Sequence, residues 1–598
     1  MDRNQATGLI LFAAVILIYS IFFAQTTEEP IEPIPTETEM ADTPQSAQPA
    51  IAPIQEVYSP EMDSIQRANY GVLGVYLQGE EETAVLENDK IKVTFSSKGG
   101  TIKEVILKEY TSSDGEPLDL LSEDRSSMDF RIQTSRGELS LSSLYLKPSL
   151  SSEETEEGKV QTLTFSGATE SGSISVKYTL ADGKYEVGKS FSVDRYQGVF
   201  TGNTVNLSWK DQVKAHEKDL AESRRKTEVT YYLSSGSFEN LGVADDLETE
   251  TAEEPVKWIG FSQRFFTAGI IADSTFQNVT VSQSTPADSS TVRSMQADLQ
   301  IPFINGAYSL NYYFGPDSYK GLKKVTEGFE NNVDMGYFFV SWVNKYIIVN
   351  LFAFLENFFN NYGVIIVLIV LIIKLALFPL TYKSYVGMAK MRVIKPEIDE
   401  LKEKYGEDAT KMQQEQMKLF SKLGVSPISG CLPLLLQMPF LFAMFFFFPN
   451  AIELRGESFL WAKDLSTYDE FIKLPFTIPF YGSHVSLFTL LMTVSQIAYT
   501  HFNNQLTTAT GPMKNIGYIM PVMFMFVLNS YPAGLSFYYF VSNMVTFGQQ
   551  ALIKLFVDDE KIRKKVEESK IKNANKKKSK FQQKLEDAMK AADNNRKK

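Results

Sequence analysis

The chain has 598 residues, 44% of them hydrophobic and 22% charged, with a formal charge of −13. That length holds more than one domain. The charge is uneven, an acidic first part against a basic stretch from Lys554 to Lys598, which points to two compartments or to a tail with an anionic partner. A single cysteine, Cys431, excludes an intramolecular disulfide and a cysteine-rich metal site. With three histidines and no HExxH, P-loop or GxSxG pattern, no enzyme activity, cofactor or metal is expected.

Residues 1–24 read as a signal-anchor span. Gly8 to Ala24 is apolar, and Phe22 stands where a cleavage site would want a small residue. Residues 25–67, with EEPIEPIPTETEM, lack the apolar surface to fold and read as an acidic, Pro-rich linker. Residues 68–330 read as one large extracytoplasmic β domain. Alternating runs such as KIKVTFSSKGG, GSISVKYTLADGKYEVGKSFSVD and FQNVTVSQS are separated by Gly, Ser and Asp turns, a spacing that favours a sandwich. One helix is predicted over Asp211 to Lys226. Trp258, Phe265 and Phe266 are predicted core residues.

Residues 331–360 hold Tyr337 to Phe359, an apolar segment interrupted by Asn344, Lys345, Asn350 and Glu356. It is predicted to lie in the membrane interface, with Trp342 and Tyr346 at headgroup depth. Residues 361–380 contain VIIVLIVLIIKLALFPL, Val364 to Leu380, a predicted span with one charge, Lys374. A span needs about 20 apolar residues, and a central charge costs roughly 2.5–3.5 kcal/mol. Such a lysine either faces protein or water, or carries its ammonium to the interface on its flexible stem.

Residues 381–429 are charged and carry two helical patterns. Ile394, Ile398, Leu401 and Tyr405 share one face before Gly406; Met412, Leu419 and Leu423 share another before Gly424. The pair predicts an antiparallel helical hairpin. Residues 430–557 hold four further predicted spans: Gly430–Pro449, His484–Thr500, Asn515–Tyr531 and Ala533–Lys554. Residues 558–598 form a basic tail, suited to anionic lipids, to ribosomal RNA or simply to fixing topology. The count is six spans. From a cytoplasmic N-terminus, the β domain falls outside, while the hairpin, the His501–Lys514 loop and the tail fall inside, as positive segments should.

Polar residues recur inside these spans. Thr489, Thr493, Gln496 and Thr500 repeat at helical spacing in the fourth, and Tyr539, Asn543, Thr546 and Gln550 in the sixth; Gln437 adds an amide in the third. Isolated polar residues serve as helix-to-helix hydrogen bonds. Two continuous stripes plus a cation exceed that need, and a hydrated groove around Lys374 is the expectation. Met513, Met520, Met523 and Met525 cluster at the fifth span. Ordinary lipid-facing or core methionine is the plainer reading, against a surface that adapts to many helices.

The runs KLALFPLTYKSYVGMAKMRVIKPEI, GCLPLLLQMPFLFAMF and YPAGLSFYYFVSNMVTFGQQ, in this order, resemble the YidC/Oxa/Alb membrane protein insertases over roughly Asp334 to Val557. The long β domain and anchor span resemble the bacterial YidC form with a periplasmic domain. The resemblance implies a multi-span α-helical membrane protein with six transmembrane helices, five forming the insertase core, and a large extracytoplasmic all-β supersandwich-like domain. It implies a positively charged groove open to cytoplasm and lipid, lined here by Lys374, Gln437, Thr493, Gln496, Tyr539, Asn543 and Thr546. The family's groove cation is usually arginine. Lysine keeps the charge and loses the planar fork. A hydrophobic slide would comprise Met438, Phe440, Met520, Met523 and Phe524. A recruitment hairpin would present Met391, Ile394, Ile398 and Leu401. The implied partners are nascent membrane proteins, the Sec translocon (SecYEG and SecDF), the ribosome through the basic tail, and anionic lipids, with a monomer as the working form in the bacterial inner membrane. A transporter or channel using the same groove, or a periplasmic sugar-binding or sugar-modifying protein, remains open at this point; solute uptake by the purified protein would favour the first, and an acid/base pair in the β domain, where none stands out, the second.

Overall fold

The computed structural model describes residues 71–574 apart from 157, 171, 197, 243–245, 407, 426–431, 480 and 507–511. The anchor at 1–24, the linker at 25–67, Cys431 and the tail beyond 574 lie outside the described residues. The β domain and the helices that follow it belong to one compact unit, Asp63–Lys598.

The β domain is antiparallel throughout. A four-stranded sheet spans Thr83–Glu87 to Pro117–Leu121, and a fourteen-stranded sheet takes the remaining strands up to Ala307–Pro316. The larger sheet folds over itself through one 19-residue strand, Phe266–Ser284. Its first part pairs with Val256–Ser262 and Ala307–Pro316; its last part pairs with Thr291–Pro302 and Glu248–Thr251. The switch falls at a register shift where Asn278 takes φ 48°, a left-handed conformation that asparagine tolerates. The two faces then meet. Trp209, from strand Phe200–Lys214, stacks on Phe261 with ring centroids 3.8 Å apart. Trp258, Phe265 and Phe266 are core, as expected.

The helix predicted over Asp211–Lys226 is shorter. Leu207, Trp209, Asp211 and Val213 alternate inward, so strand Phe200–Lys214 continues through the first quarter of that window. Only α1, Leu220–Lys226, is helical, capped by Asp219, whose Oδ1 accepts from Glu222 N at 3.0 Å. A second short helix, α2, spans Tyr319–Val325.

The helical part begins with α3, Phe338–Glu356, 19 residues with a π-turn at Asn344–Ile348. Asn344 does not interrupt it. The side chain is fully buried and its Nδ2 donates to Met335 O at 3.1 Å and to Ala443 O at 2.9 Å. Next comes α4, Tyr362–Val393, 32 residues and so about 48 Å long, well beyond a bilayer core of about 30 Å. The predicted end at Leu380 is corrected by 13 residues. Pro379 lies inside the helix, and Thr381 Oγ1 donates to Leu377 O at 3.1 Å within the affected turn.

Then follow α5 (Lys395–Tyr405), α6 (Ala409–Leu423), α7 (Leu432–Asn450), α8 (Leu487–Leu506), α9 (Pro512–Leu528), α10 (Ala533–Phe556) and α11 (Asp559–Ala574). Gly424 ends α6 at φ 64°, the left-handed cap the sequence implied. Among the described residues, two helices are long and apolar enough to cross a membrane: α4 and α3, the latter expected to lie flat. Its exposed row Phe338, Trp342 and Tyr346 sits at four-residue spacing on one face.

Helix α10 is the hub. It contacts α4, α7 and α8, and the cluster Ile366, Val370, Ile373, Met444, Phe448, Phe488, Leu535 and Phe537 fills the space between them. The β domain is tied to one end of this bundle. Arg264 Nε donates to Pro449 O at 3.2 Å and Nη2 to Ser466 O at 2.8 Å, while Arg455 pairs with Glu217 at 2.7 Å.

Candidate functional site

Lys374 sits 12 residues into α4, about 18 Å from its start, on the same ridge as Ile366 and Val370. That ridge faces α10, so the sequence aims the lysine inward. Its side chain is 5% exposed, and Nζ donates to Thr546 Oγ1 at 2.9 Å. Thr546 Oγ1 in turn donates to Ser542 O at 2.7 Å. Gln549, one turn further along α10, donates from Nε2 to Lys374 O at 2.9 Å. The ammonium is therefore held at a helix contact and is not drawn out along α4 to an interface.

The other stripe residues divide. Thr489 is fully buried and bonds Ser536 Oγ at 2.9 Å and Leu528 O at 3.1 Å, which is helix-to-helix bonding. Thr493, 4% exposed, bonds back to Thr489 O at 2.8 Å. Asn543 Nδ2 reaches Ser495 Oγ at 2.9 Å, and Tyr539 OH reaches Leu441 O at 3.3 Å. Gln437, Gln496, Tyr539 and Asn543 stay half-buried. The structure thus joins Lys374 to Thr546 and ties Asn543 and Tyr539 to neighbouring helices. Sequence reasoning missed Ser495, Ser536 and Gln549. Gln549 was within reach, lying three residues after Thr546 on the same face.

Of the slide residues, Met523 is 53% exposed, whereas Met438, Phe440, Met520 and Phe524 are half-buried; Phe440 and Phe524 pack against the bundle core. In the hairpin, Ile394 is 1% exposed in a cluster with Phe420, Leu423 and Val425. Met391, Ile398 and Leu401 remain half-buried.

Two cavities lie elsewhere, where the β domain meets the bundle. One, of 360 Å³, is lined by Arg225, Lys226, Glu228, Gln263, Arg264 and Asp334; the other, of 140 Å³, by Lys320, Glu356, Glu453 and Asn450; Asp317 borders both. Burial pushes the Asp317 carboxyl well above its ordinary range, partly offset by the Thr267 hydroxyl that donates to it at 2.7 Å. Burial raises Glu453 to about 7, with the nearby Glu356 carboxylate adding to the effect. These are junction cavities, and Lys374 lines neither. Among the described residues, no group of three or more His, Cys, Asp or Glu side chains is placed to hold a metal.

Comparison with known proteins bears on both parts. Residues 83–349 match the family described as the YidC periplasmic domain, and residues 354–565 match that of the 60Kd inner membrane protein. The membrane protein insertase YidC of Amoebophilus asiaticus (strain 5a2) is 41% identical over 603 residues, 99% of each chain. The protein of that name from Cytophaga hutchinsonii is 41% identical over 619 residues, 99% of this chain and 98% of that one. An active YidC insertase crystal structure, with its first transmembrane domain resolved, aligns at 18% identity and a TM-score of 0.33, covering 79% of this chain and 92% of that one. The two matched regions, in this order, together with full-length relatives at 41% identity, lead to one assignment: this chain belongs to the YidC membrane protein insertase family.

Proposed function

We propose that the chain inserts hydrophobic segments of other proteins into the bacterial inner membrane and helps them fold, alone or beside the Sec translocon. The observation that carries this reading is Lys374, a cation buried mid-helix and bonded to a neutral hydroxyl, with half-buried Gln437, Gln496, Asn543 and Tyr539 on the neighbouring helices. A positive centre beside polar walls lowers the cost of bringing a short acidic tail below the membrane surface. The apolar segment behind that tail rests against lipid and the Met438–Phe440 and Met520–Phe524 faces. It then leaves into the bilayer, driven by burial at about 25 cal/mol per Å². The membrane potential assists acidic tails by about 2.3 kcal/mol per charge per 100 mV. The hairpin α5–α6 receives the substrate, the tail meets the ribosome or anionic lipid, and the termini are cytoplasmic with the β domain periplasmic.

The test is depletion of the resident insertase and rescue with Lys374→Arg, Lys374→Ala and Lys374→Glu. The readout is insertion of a small protein with an acidic translocated tail. Arg is expected to rescue, with Ala and Glu failing at normal abundance. Equal insertion by all three removes the charge from the mechanism.

A further inference from the structure

Between α7 and α8 lies a hairpin that belongs to neither the β domain nor the bundle. Its strands, Ile472–Ile478 and Gly482–Val485, pair only with each other among the described residues. The root is firmly held. Phe471 N donates to Val485 O at 3.1 Å, and Tyr468 stacks on His484 at 3.9 Å. Asn529, just beyond α9, donates to His484 O at 2.9 Å and Tyr481 O at 2.8 Å. Trp461 sits between Phe471 and Phe488, in the first turn of α8, at 6.2 and 4.3 Å. Glu470 pairs with Lys218 of the β domain at 3.1 Å, which puts the hairpin at the β-domain end of the bundle.

Beyond that root the surface is bare and apolar. Phe471 is 52% exposed, Ile472 51% and Phe476 60%. Nearby, Leu460 is 69% exposed at φ 53°, a turn position that water-facing chains give to Asn or Gly. An isolated two-stranded hairpin is marginal in water, and an exposed apolar patch marks a surface that something covers.

We propose that this hairpin dips into the headgroup region of the leaflet on the β-domain side, a lipid anchor separate from the spans. Its root runs directly into the start of α8 and is bonded by Asn529 just past the end of α9, so it starts at the membrane boundary if those helices cross. Its aromatic side chains suit that depth, and the stem of Lys473 can lie on the apolar surface with its ammonium at lipid phosphates. Pro475 removes a backbone donor from the longer strand and the register breaks between Lys473 and Ile478, which makes that strand a poor template for a protein strand. The inference rests on the membrane-spanning reading of the bundle and not on insertase activity.

The test places nitroxide labels on the full-length protein in phosphatidylethanolamine–phosphatidylglycerol vesicles. Cys431→Ser clears the one native thiol, and Phe476→Cys and Thr477→Cys carry the label. Leu375→Cys, 67% exposed on α4, and Leu150→Cys, 58% exposed on the β domain, serve as lipid and water references. With a nickel chelate on both sides, the ratio of oxygen to chelate collisions is expected to be several-fold higher at 476 than at 150 and highest at 375. Hairpin labels that behave like 150 overturn the proposal, as do labels shielded from both reagents, which would mean a protein cover. Insertion assays on the same variants read a separate property, so failure here leaves the insertase reading standing. A label at 375 that behaves like 150 removes the spanning premise and this proposal with it.

Discussion

Lys374 Nζ and Thr546 Oγ1, 172 residues apart in the chain, meet at 2.9 Å across the contact between α4 and α10. The hydroxyl accepts from the ammonium and donates to Ser542 O at 2.7 Å, so both of its roles are used. Thr546→Val keeps the shape and removes the acceptor. It is expected to lower stability in detergent by about 1.5–3 kcal/mol, the range for a hydrogen bond to a charged group. In Lys374→Met the valine costs much less, giving a coupling of about 1 kcal/mol or more in a double-mutant cycle. Additive losses would mean that water, not Thr546, solvates the ammonium.

That pair shows where the sequence stops being readable. Lys374, Thr546 and the polar stripes follow from helical spacing, and so do the α5–α6 hairpin and its Gly424 cap. Which stripe residue meets which helix depends on rotation between helices. Ser495 therefore emerges as a partner only in three dimensions, whereas Gln549 shares the helical face of Thr546. The expected end at Leu380 rests on the charged residues that follow it, whereas α4 carries that polar stretch on as helix to Val393. The β domain is legible in its alternation and its turns. The folding of one sheet through Phe266–Ser284 is not, because it rests on pairings with strands on both sides of the sequence.

The junction between the two parts turns on Glu217 and Arg455, whose side chains are 14% and 7% exposed and 2.7 Å apart. Arg455 also donates to Thr111 O at 2.7 Å. Removing one partner strands a buried charge. Glu217→Ala is expected to cost about 3–5 kcal/mol, most of it recovered in Glu217→Ala with Arg455→Met. Calorimetry of the full chain should show the β-domain transition separating from that of the bundle in the single variant and rejoining it in the double. An unchanged single transition in Glu217→Ala would assign the junction to Arg264 instead.

Asp211 gives the β domain a pH dependence of predictable sign. Burial among the core residues raises its carboxyl from 3.8 to about 7, with the Ser126 hydroxyl and Arg125 opposing weakly. A carboxyl whose pKa is raised on folding favours the folded state most below its unfolded value, and loses that advantage as pH rises through the folded value. The burden therefore grows from about pH 4 to pH 7 and is full at pH 8. At about 1.4 kcal/mol per pH unit it reaches at most about 4 kcal/mol. Asp211→Asn is expected to raise the unfolding midpoint at pH 8 and to leave it nearly unchanged at pH 4, read from the near-ultraviolet signal of Trp209. A gain of equal size at both pH values would make the effect one of packing and not of charge.

The basic C-terminal segment begins as part of the hairpin's own core. Ile562 and Val566, one turn apart on α11, are 5% and 4% exposed and lie in one cluster with Ala389, Ile394, Phe420, Leu423 and Val425. Arg563, Lys564 and Lys565 between them face solvent. Whatever pulls α11 away uncovers Phe420 and Leu423, so a force on the tail reaches the α5–α6 hairpin. Burying each of the two aliphatic side chains stabilises the contact by about 1.5–3 kcal/mol. Ile562→Asp with Val566→Asp should therefore release the helix. Deuterium exchange is expected to rise across 559–574 and across 409–423, with the β domain unchanged. Lys565→Asp, on the exposed face, is the control and should alter neither segment. Faster exchange confined to 559–574 would show that the hairpin holds itself together, and the tail would then reach it only through a partner.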